Sequence, residues 1–499
     1  MREREVKLTV PANVTLPSDS SLVGDLGEWS VQEIDQHARY FDTPDLTLTR
    51  AGASLRYRSD DGWTVKLPRA RDGATFDRDE LHFEGQAEEP PAAAVDVVSA
   101  LTRTRPLSEV AQVHTRRHAI RLHDEEQRLV LEVAEDDVDA TDTWGTTTHF
   151  LEVEVESKEA ADPKLVETLV RRLRKAGAEA TDAMPKIARA LGARAAKPPD
   201  LTTPAIGRSA TLEELVRHSI GDGVQRLIEH DPAVRLDIDD EGVHQARVAT
   251  RRLRSDLRTF RPVIDRTWSE PLRSELRWLG ELLGRVRDAD VLLGHLGAKC
   301  DCLDEDDDRD ELGNLINRLR EARRHNHDLL LDAMRSPRYL ALLDNLVEAA
   351  RSPRIRGQRG DVPAAHEVSK LIRRPQRRLR DHVRNLAVTP SNGDLHEARK
   401  LAKQARYALE AAAPVVGNGA TREARRLAAL QDVLGDHQDT VVAGTWLREA
   451  SRDGQRPETA FVAGRVAGLF DNDRRSLRAK WRSAWHKVDR HLLPRANRH

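Results

Sequence analysis

The hydrophobic pattern of this chain changes period once, and the change divides it. Up to about Leu191, apolar residues recur at alternate positions in short runs: Val6–Val10, Ser54–Tyr57, Trp63–Leu67, Ala119–Leu122, Leu129–Val133 and Phe150–Val155. Alternation rich in β-branched residues predicts strands. Leu165–Leu173 and Lys186–Leu191 read as two helices that close this part. From Leu212 onward the period is 3.6 residues. Ten segments there read as helices: Leu212–Leu227, Gly242–Phe260, Leu272–Leu296, Leu312–Met334, Leu340–Ala350, Val368–Leu386, Leu395–Ala412, Glu423–Val433, Thr440–Ala450 and Ala460–Trp485. Between the two patterns lies AAKPPDLTTPAIGRSA, whose prolines and small residues predict a linker. The reading is α+β and multidomain: a strand domain over residues 1–195, a linker over 196–210 and a helical domain over 211–493.

The two parts differ in charge. Residues 1–200 hold 27 Lys+Arg against 38 Asp+Glu, a net of −11, and residues 201–499 hold 54 against 45, a net of +9, which together give the −2 of the chain. An acidic part suits metal binding and a basic part suits a polyanion. No apolar run reaches the roughly 18 residues of a membrane span, and Met1–Lys7 is charged where a signal peptide is apolar. Two cysteines exclude a disulfide scaffold and fit a reducing cytosol, so we expect a cytoplasmic protein without a membrane partner. Cys300 and Cys302 stand beside an acidic run with no second ligand cluster, which reads as an exposed loop. There is no phosphate-cradling G-x-x-x-x-G-K-[ST] loop and no G-x-G-x-x-G element.

The helical part repeats itself. His244, Arg247, Arg251 and Arg254 align with His396, Arg399, Lys403 and Arg406, and Leu283-Gly284 before Asp288 aligns with Leu434-Gly435 before Asp439. Duplication of a four-helix bundle follows, with repeats over about 211–350 and 364–493. Spacings of 3, 4 and 3 put each set on one helix face. Like charges on adjacent turns repel, so two repeated stripes point to a dense anion rather than to ordinary solvated faces. Lys370–Arg384 adds seven Lys/Arg in fifteen residues. The part lacks aromatic stacking platforms, which argues against nucleic acid.

In the strand part, period two places Glu3, Glu5 and Lys7 on one face, and does the same for Arg56 with Arg58, Arg78 with Glu80, and Glu152 with Glu154 and Glu156. A closed barrel with a polar bore accounts for such faces together. Glu3-Arg-Glu5-Val-Lys7 resembles the ExExK signature of the CYTH family, the triphosphate tunnel enzymes. Tyr40-Phe41-Asp42-Thr43, Leu55-Arg56-Tyr-Arg58, the lysine strand with Lys66, the Arg78/Glu80 pair, Glu152-Val-Glu154-Val-Glu156 and Pro185-Lys186-Ile-Ala-Arg-Ala-Leu follow in the family's order. The resemblance implies an antiparallel eight-stranded β-tunnel that takes a linear triphosphate with Mg²⁺ or Mn²⁺. It implies that Lys7, Arg56, Arg58, Lys66, Arg78 and Lys186 hold phosphates. Glu3, Glu5, Glu152, Glu154 and Glu156 would hold metal, joined by Glu132 and Asp136; Glu80 accompanies Arg78. One arginine of Arg116, Arg117 and Arg121 would point inward, with Arg117 the choice, and Asp136 and Asp137 exchange roles if the register differs.

The histidine helices VHQARVATRRLRSDLRTF and LHEARKLAKQARYALE, with LGRVRDADV and LGDHQDTVV, resemble the CHAD domain, the conserved-histidine helical domain. That resemblance implies binding of inorganic polyphosphate by His244, Arg247, Arg251, Arg254, His396, Arg399, Lys403 and Arg406, and an association with polyphosphate granules. The order of the two domains resembles bacterial fusions in which the first hydrolyses inorganic triphosphate. The alternatives are a non-catalytic polyphosphate-binding protein, a thiamine triphosphatase and an adenylate cyclase.

Overall fold

A strand with charge on one face and hydrocarbon on the other can bury both only in a barrel whose apolar cover lies outside. The computed structural model has this form. It describes residues 2–491 apart from 12–13, 15, 18, 73–74, 158–160, 181–183 and 454–455. The chain divides into two compact units, residues 1–202 and 203–499.

The first unit holds β1 (Arg2–Thr9), α1 (Asp19–Val23), β2 (Glu28–Asp42), α2 (Thr47–Ala51), β3 (Ser54–Arg58), β4 (Gly62–Asp72), β5 (Thr75–Phe83), α3 (Ala92–Thr102), β6 (Ser108–His123), β7 (Leu129–Asp142), β8 (Thr147–Ser157), α4 (Pro163–Lys175), β9 (Glu179–Ala180) and α5 (Lys186–Leu191). The sheet order β5-β4-β3-β2-β6-β7-β8-β1 closes on itself through a β5–β1 pairing, and β9 adds beside β1. Every pairing is antiparallel. Outward-facing Leu8, Ile120, Leu122, Leu131, Val133, Val153 and Val155 form one core with Leu169 and Leu173 of α4 and Leu22 and Val23 of α1. A second core fills part of the bore, where Ile187, Ala190 and Leu191 of α5 pack against Ala38, Val113, Val138 and Phe150.

The second unit is helical: α6 (Leu212–Leu236), α7 (Asp240–Thr259), α8 (Arg266–Cys300), α9 (Asp306–Arg335), α10 (Pro337–Arg351), α11 (Ala364–Arg384), α12 (Asn392–Val416), α13 (Asn418–Asp453) and α14 (Pro457–Asp489). Several helix starts carry side-chain caps: Thr211 and Glu214 form a capping box, Asp239 accepts from Glu241 N and Gly242 N, and Ser391 forms a box with Asp394. α11 to α14 repeat α6 to α9, and α10 is extra. Each helix touches its own counterpart: α6 with α11, α7 with α12, α8 with α13 and α9 with α14. The repeats also share hydrocarbon, since Leu292, Leu312, Leu447 and Phe470 belong to one buried cluster. None of the described helices is long and apolar enough to cross a membrane.

Two boundaries differ from expectation. Glu423–Val433 and Thr440–Ala450 are one helix, α13, because Gly435 does not break it. The start of the expected linker is held against the first unit: Arg50 Nε donates to Pro198 O at 2.9 Å, and Asp200 is paired with Arg103 and, at 2.8 Å, with Arg105.

Candidate active site and cation cluster

Register decides which charges meet. Glu5 faces Glu156 and Lys7 faces Glu154 across β1 and β8. Glu132 pairs with Glu156 and Asp136 with Glu152 across β7 and β8. Arg117 pairs with Asp136 and Arg121 with Glu132 across β6 and β7. Opposite, Ser54 faces Lys66 and Lys66 faces Glu80. Most of these inward positions wall a cavity of about 310 Å³, lined among others by Glu5, Lys7, Arg56, Arg58, Lys66, Glu80, Arg117, Glu132, Glu154, Glu156 and Lys186.

One wall of the cavity is acidic but threaded with cations. Lys7 contacts Glu154 and lies 3.7 Å from Glu152 and 4.0 Å from Glu5. Arg117 makes a two-pronged pair with Asp136 at 2.8 and 2.9 Å and reaches Glu154 at 2.8 Å and Glu132 at 3.1 Å. Lys186 contacts Asp136 and lies 3.3 Å from Glu152. Burial alone would raise the Glu154 carboxyl; Lys186, Lys7 and Arg117 outweigh it and hold it well below the usual range. Burial likewise opposes the Asp136 charge, and Lys186 and Arg117 restore it. Lys186 suffers burial too, yet Asp136, Glu154 and Glu152 raise its pKa, so it stays protonated.

The facing wall is cationic. Arg56 lies 3.5 Å from Glu80 and 3.4 Å from Asp61, Arg58 lies 3.3 Å from Asp61, and Lys66 lies 3.4 Å from Glu80. Burial would raise the Glu80 carboxyl, but Lys66 and Arg56 lower it, so Glu80 stays ionised and tethers both.

Of the sequence-derived residues, Glu3 and Arg78 face one another across β1 and β5, but their side chains lie outside the described residues. Arg116 is exposed and bonded to Asp137 at 2.9 Å, so Arg117 and Arg121 are the inward arginines and Asp136 the inward aspartate. Glu132 is in the cavity, but its oxygens are taken by Arg117 and, at 2.7 Å, by Arg121. Asp136 and Glu152 lie behind the lining, bonded to it through Arg117 and Lys186. Gln36, Asp61, His82 and Thr115 also line the cavity and were not singled out from sequence; Tyr40, which was noted only as part of the Tyr40-Phe41-Asp42-Thr43 segment, lines it too. The even positions of β2 carried the signal for Gln36 and Tyr40.

The donor set suits a hard divalent ion. Glu5, Glu154 and Glu156 offer oxygens within 4.8 Å of one another, and so do Asp136, Glu152 and Glu154. Both groups are carboxylate only, the chemistry preferred by Mg²⁺ and Mn²⁺. Glu152 Oε1 is buried and accepts no well-formed hydrogen bond, facing only the ammonium groups of Lys186 at 3.3 Å and Lys7 at 3.7 Å.

In the helical unit the eight stripe residues are half-buried rather than fully exposed. The reason is that α7 and α12 meet. Arg251 Nε donates to Tyr407 Oη at 2.8 Å across the repeats. Arg247 donates to Gly284 O at 2.9 Å and Asp288 at 2.6 Å. A Cβ on Gly435 would stand 3.1 Å from Arg399 Nη2, so both aligned glycines seat an arginine. Lys403 sits among Arg251, Arg399, Arg247 and Arg406; burial, then these four, push its pKa down to about 7. His244 and His396 are both lowered, chiefly by burial.

A closed antiparallel barrel with an ion-lined bore, followed by a duplicated helical unit, defines a class of two-domain proteins, and comparison with known families agrees. Residues 1–188 match the CYTH domain and residues 219–448 match the CHAD domain. The chain is 32% identical over 487 residues to the uncharacterized protein Rv2226 of Mycobacterium tuberculosis, covering 90% of each. Among solved structures, PptA from Streptomyces chartreusis is 22% identical, with a TM-score of 0.48 over 56% of this chain and 100% of that one. The CHAD domain from the plant Ricinus communis is 27% identical, with a TM-score of 0.46 over 58% and 97%. The chain thus belongs to the family of proteins that join a CYTH domain to a CHAD domain. CYTH domains are those of metal-dependent triphosphate tunnel enzymes.

Proposed function

We propose that the barrel hydrolyses inorganic triphosphate to diphosphate and phosphate, and that the helical unit binds inorganic polyphosphate. The observation that carries the first part is a cavity with Arg56, Arg58 and Lys66 on one wall and Glu5, Glu154 and Glu156 on the other. The arginine forks and Lys66 bind phosphate oxygens, and Glu80 positions two of these cations. Lys186, kept charged by the carboxylates around it, and Lys7, which contacts Glu154, approach the reacting end and stabilise the charge on the transferred group. Glu5, Glu154 and Glu156, with Asp136 and Glu152 behind, would hold Mg²⁺ or Mn²⁺. When bound, such an ion neutralises phosphate charge and lowers the pKa of water. Water adds to a terminal phosphorus as its bridging P–O bond breaks; diphosphate leaves and one proton passes to solvent. The helical reading rests on the convergence of Arg247, Arg251, Arg399, Lys403 and Arg406.

Phosphate release from tripolyphosphate, thiamine triphosphate and ATP, with and without Mg²⁺ or Mn²⁺, tests the first part. Metal-dependent release, fastest from tripolyphosphate, is expected. No release from any of them returns the barrel to a binding role, and preference for an organic triphosphate changes the substrate.

A further inference from the structure

The outer wall of the barrel carries a second set of ligand atoms of different chemistry. On β2 the residues facing the bore alternate with Asp35 and His37, which face out: Gln36 and Ala38 are buried while their neighbours are exposed. His37 stands directly opposite His114 of β6 in the register. Their rings are parallel within 2°, with centroids 4.3 Å apart. The Nε2 atoms of both rings turn to the same oxygen, Asp35 Oδ1, at 3.2 Å from His37 and 2.7 Å from His114. The flanking cations do not compete for this carboxylate. Arg39 is engaged by Glu109 at 2.7 Å, and Arg116, opposite Asp35, by Asp137 at 2.9 Å.

We propose that Asp35, His37 and His114 form a metal site for a first-row ion that prefers imidazole, Zn²⁺ in particular, on the outside of the barrel. The three donor atoms lie within 4.8 Å of one another. Tetrahedral zinc with bonds near 2.0 Å needs ligand atoms roughly 3.4 Å apart. The present contacts open to that spacing by a small rotation, because His37 and Asp35 are 71% and 64% exposed. Two nitrogens and one oxygen favour Zn²⁺ over Mg²⁺ or Mn²⁺, the reverse of the carboxylate-only bore. Water completes the coordination. An ordinary exposed His–Asp contact does not require two stacked imidazoles to share one carboxylate oxygen, since such contacts contribute little in water. Bound zinc would cross-link β2 to β6 and leave the bore untouched.

Calorimetric titration of the full-length protein with Zn²⁺, in excess Mg²⁺ to occupy the bore, tests this. One zinc site per chain is expected, weakened at least about tenfold in His37→Gln and in His114→Gln and lost in the double variant. His118→Gln is the control, because His118 has its own acids, Glu33 at 2.5 Å and Asp19 at 3.1 Å. It and Glu5→Gln are expected to bind zinc like the parent. Circular dichroism of the double variant should match the parent, since both rings are at the surface. Parental zinc affinity in the double variant, or loss of the site in the His118 or Glu5 variant instead, overturns the assignment.

Discussion

Lys403 shows what two stripes do when brought together. Its ammonium, ordinarily near pKa 10.4, is pushed down to about 7 by burial and four arginines. The sign follows from linkage. Between about pH 7 and 10 the unfolded chain holds this proton and the folded chain releases it, so this residue makes stability rise with pH across that window. A bound polyanion reverses the balance: it favours the charged form, so binding takes up a proton and weakens as pH climbs from about 6 to 8. Lys403→Met should bind polyphosphate with a flatter pH dependence over that range, read by titration at several pH values; an unchanged slope would assign the dependence elsewhere. In the bore, Glu5→Gln should lower divalent-dependent triphosphate turnover at least about tenfold, an effect of roughly 1.4 kcal/mol in the transition state, with circular dichroism unchanged. Parental turnover at saturating metal removes Glu5 from the ligand set. Both residues were visible in sequence through spacing. The shift at Lys403 was not, because it depends on Arg247 and Arg251, more than 150 positions away.

Elements were legible in proportion to the contrast between their faces. β8 alternates Glu152, Glu154 and Glu156 with Val153 and Val155, and both its existence and its register follow from that. β2 was not read as a strand, because its outward Glu33, Asp35 and His37 are as polar as parts of its inward face. α13 was read as two segments, Glu423–Val433 and Thr440–Ala450, on either side of Gly435; in the fold that glycine's lack of a Cβ admits Arg399, and a helix interior tolerates the roughly 1 kcal/mol cost. Other helical glycines differ in sign. A Cβ on Gly223 of α6 would lie 2.7 Å from Leu253 Cδ2, and Leu253 is wholly buried in α7. Gly223→Ala should destabilise the helical unit by about 1–3 kcal/mol through overpacking. Gly313 of α9 has nothing within 4 Å, and Gly313→Ala should stabilise it by up to about 1 kcal/mol. Thermal unfolding of the two variants checks the contrast; equal shifts would refute the account of Gly223.

At the scale of the whole molecule, the change of hydrophobic period and the reversal of charge were enough to separate two units. That the strands close into a barrel followed from their charged faces; which strands make the seam did not, because it depends on β1 pairing with both β8 and β5 across most of the unit. A fragment of residues 205–499 should bind long-chain polyphosphate, prefer it to duplex DNA of equal charge, and lose affinity steeply with salt. Changing Arg247, Arg251, Arg399 and Lys403 together to Ala should weaken that binding at least about tenfold, roughly 1.4 kcal/mol. Titration in two salt concentrations checks both, and DNA preference would refute the polyphosphate reading.

The way the repeats touch has a historical meaning. Each of α6 to α9 packs on its own counterpart among α11 to α14, which is the signature of a surface that is complementary to itself. Two copies of a chain carrying one repeat could build the same cluster by pairing face to face, each bringing one stripe. Fusing the halves makes the pairing independent of concentration. It also frees each copy to diverge, as the extra helix α10 in the first repeat records, and as do Asp288, bonded to Arg247, and its counterpart Asp439, which lies 3.8 Å from His295.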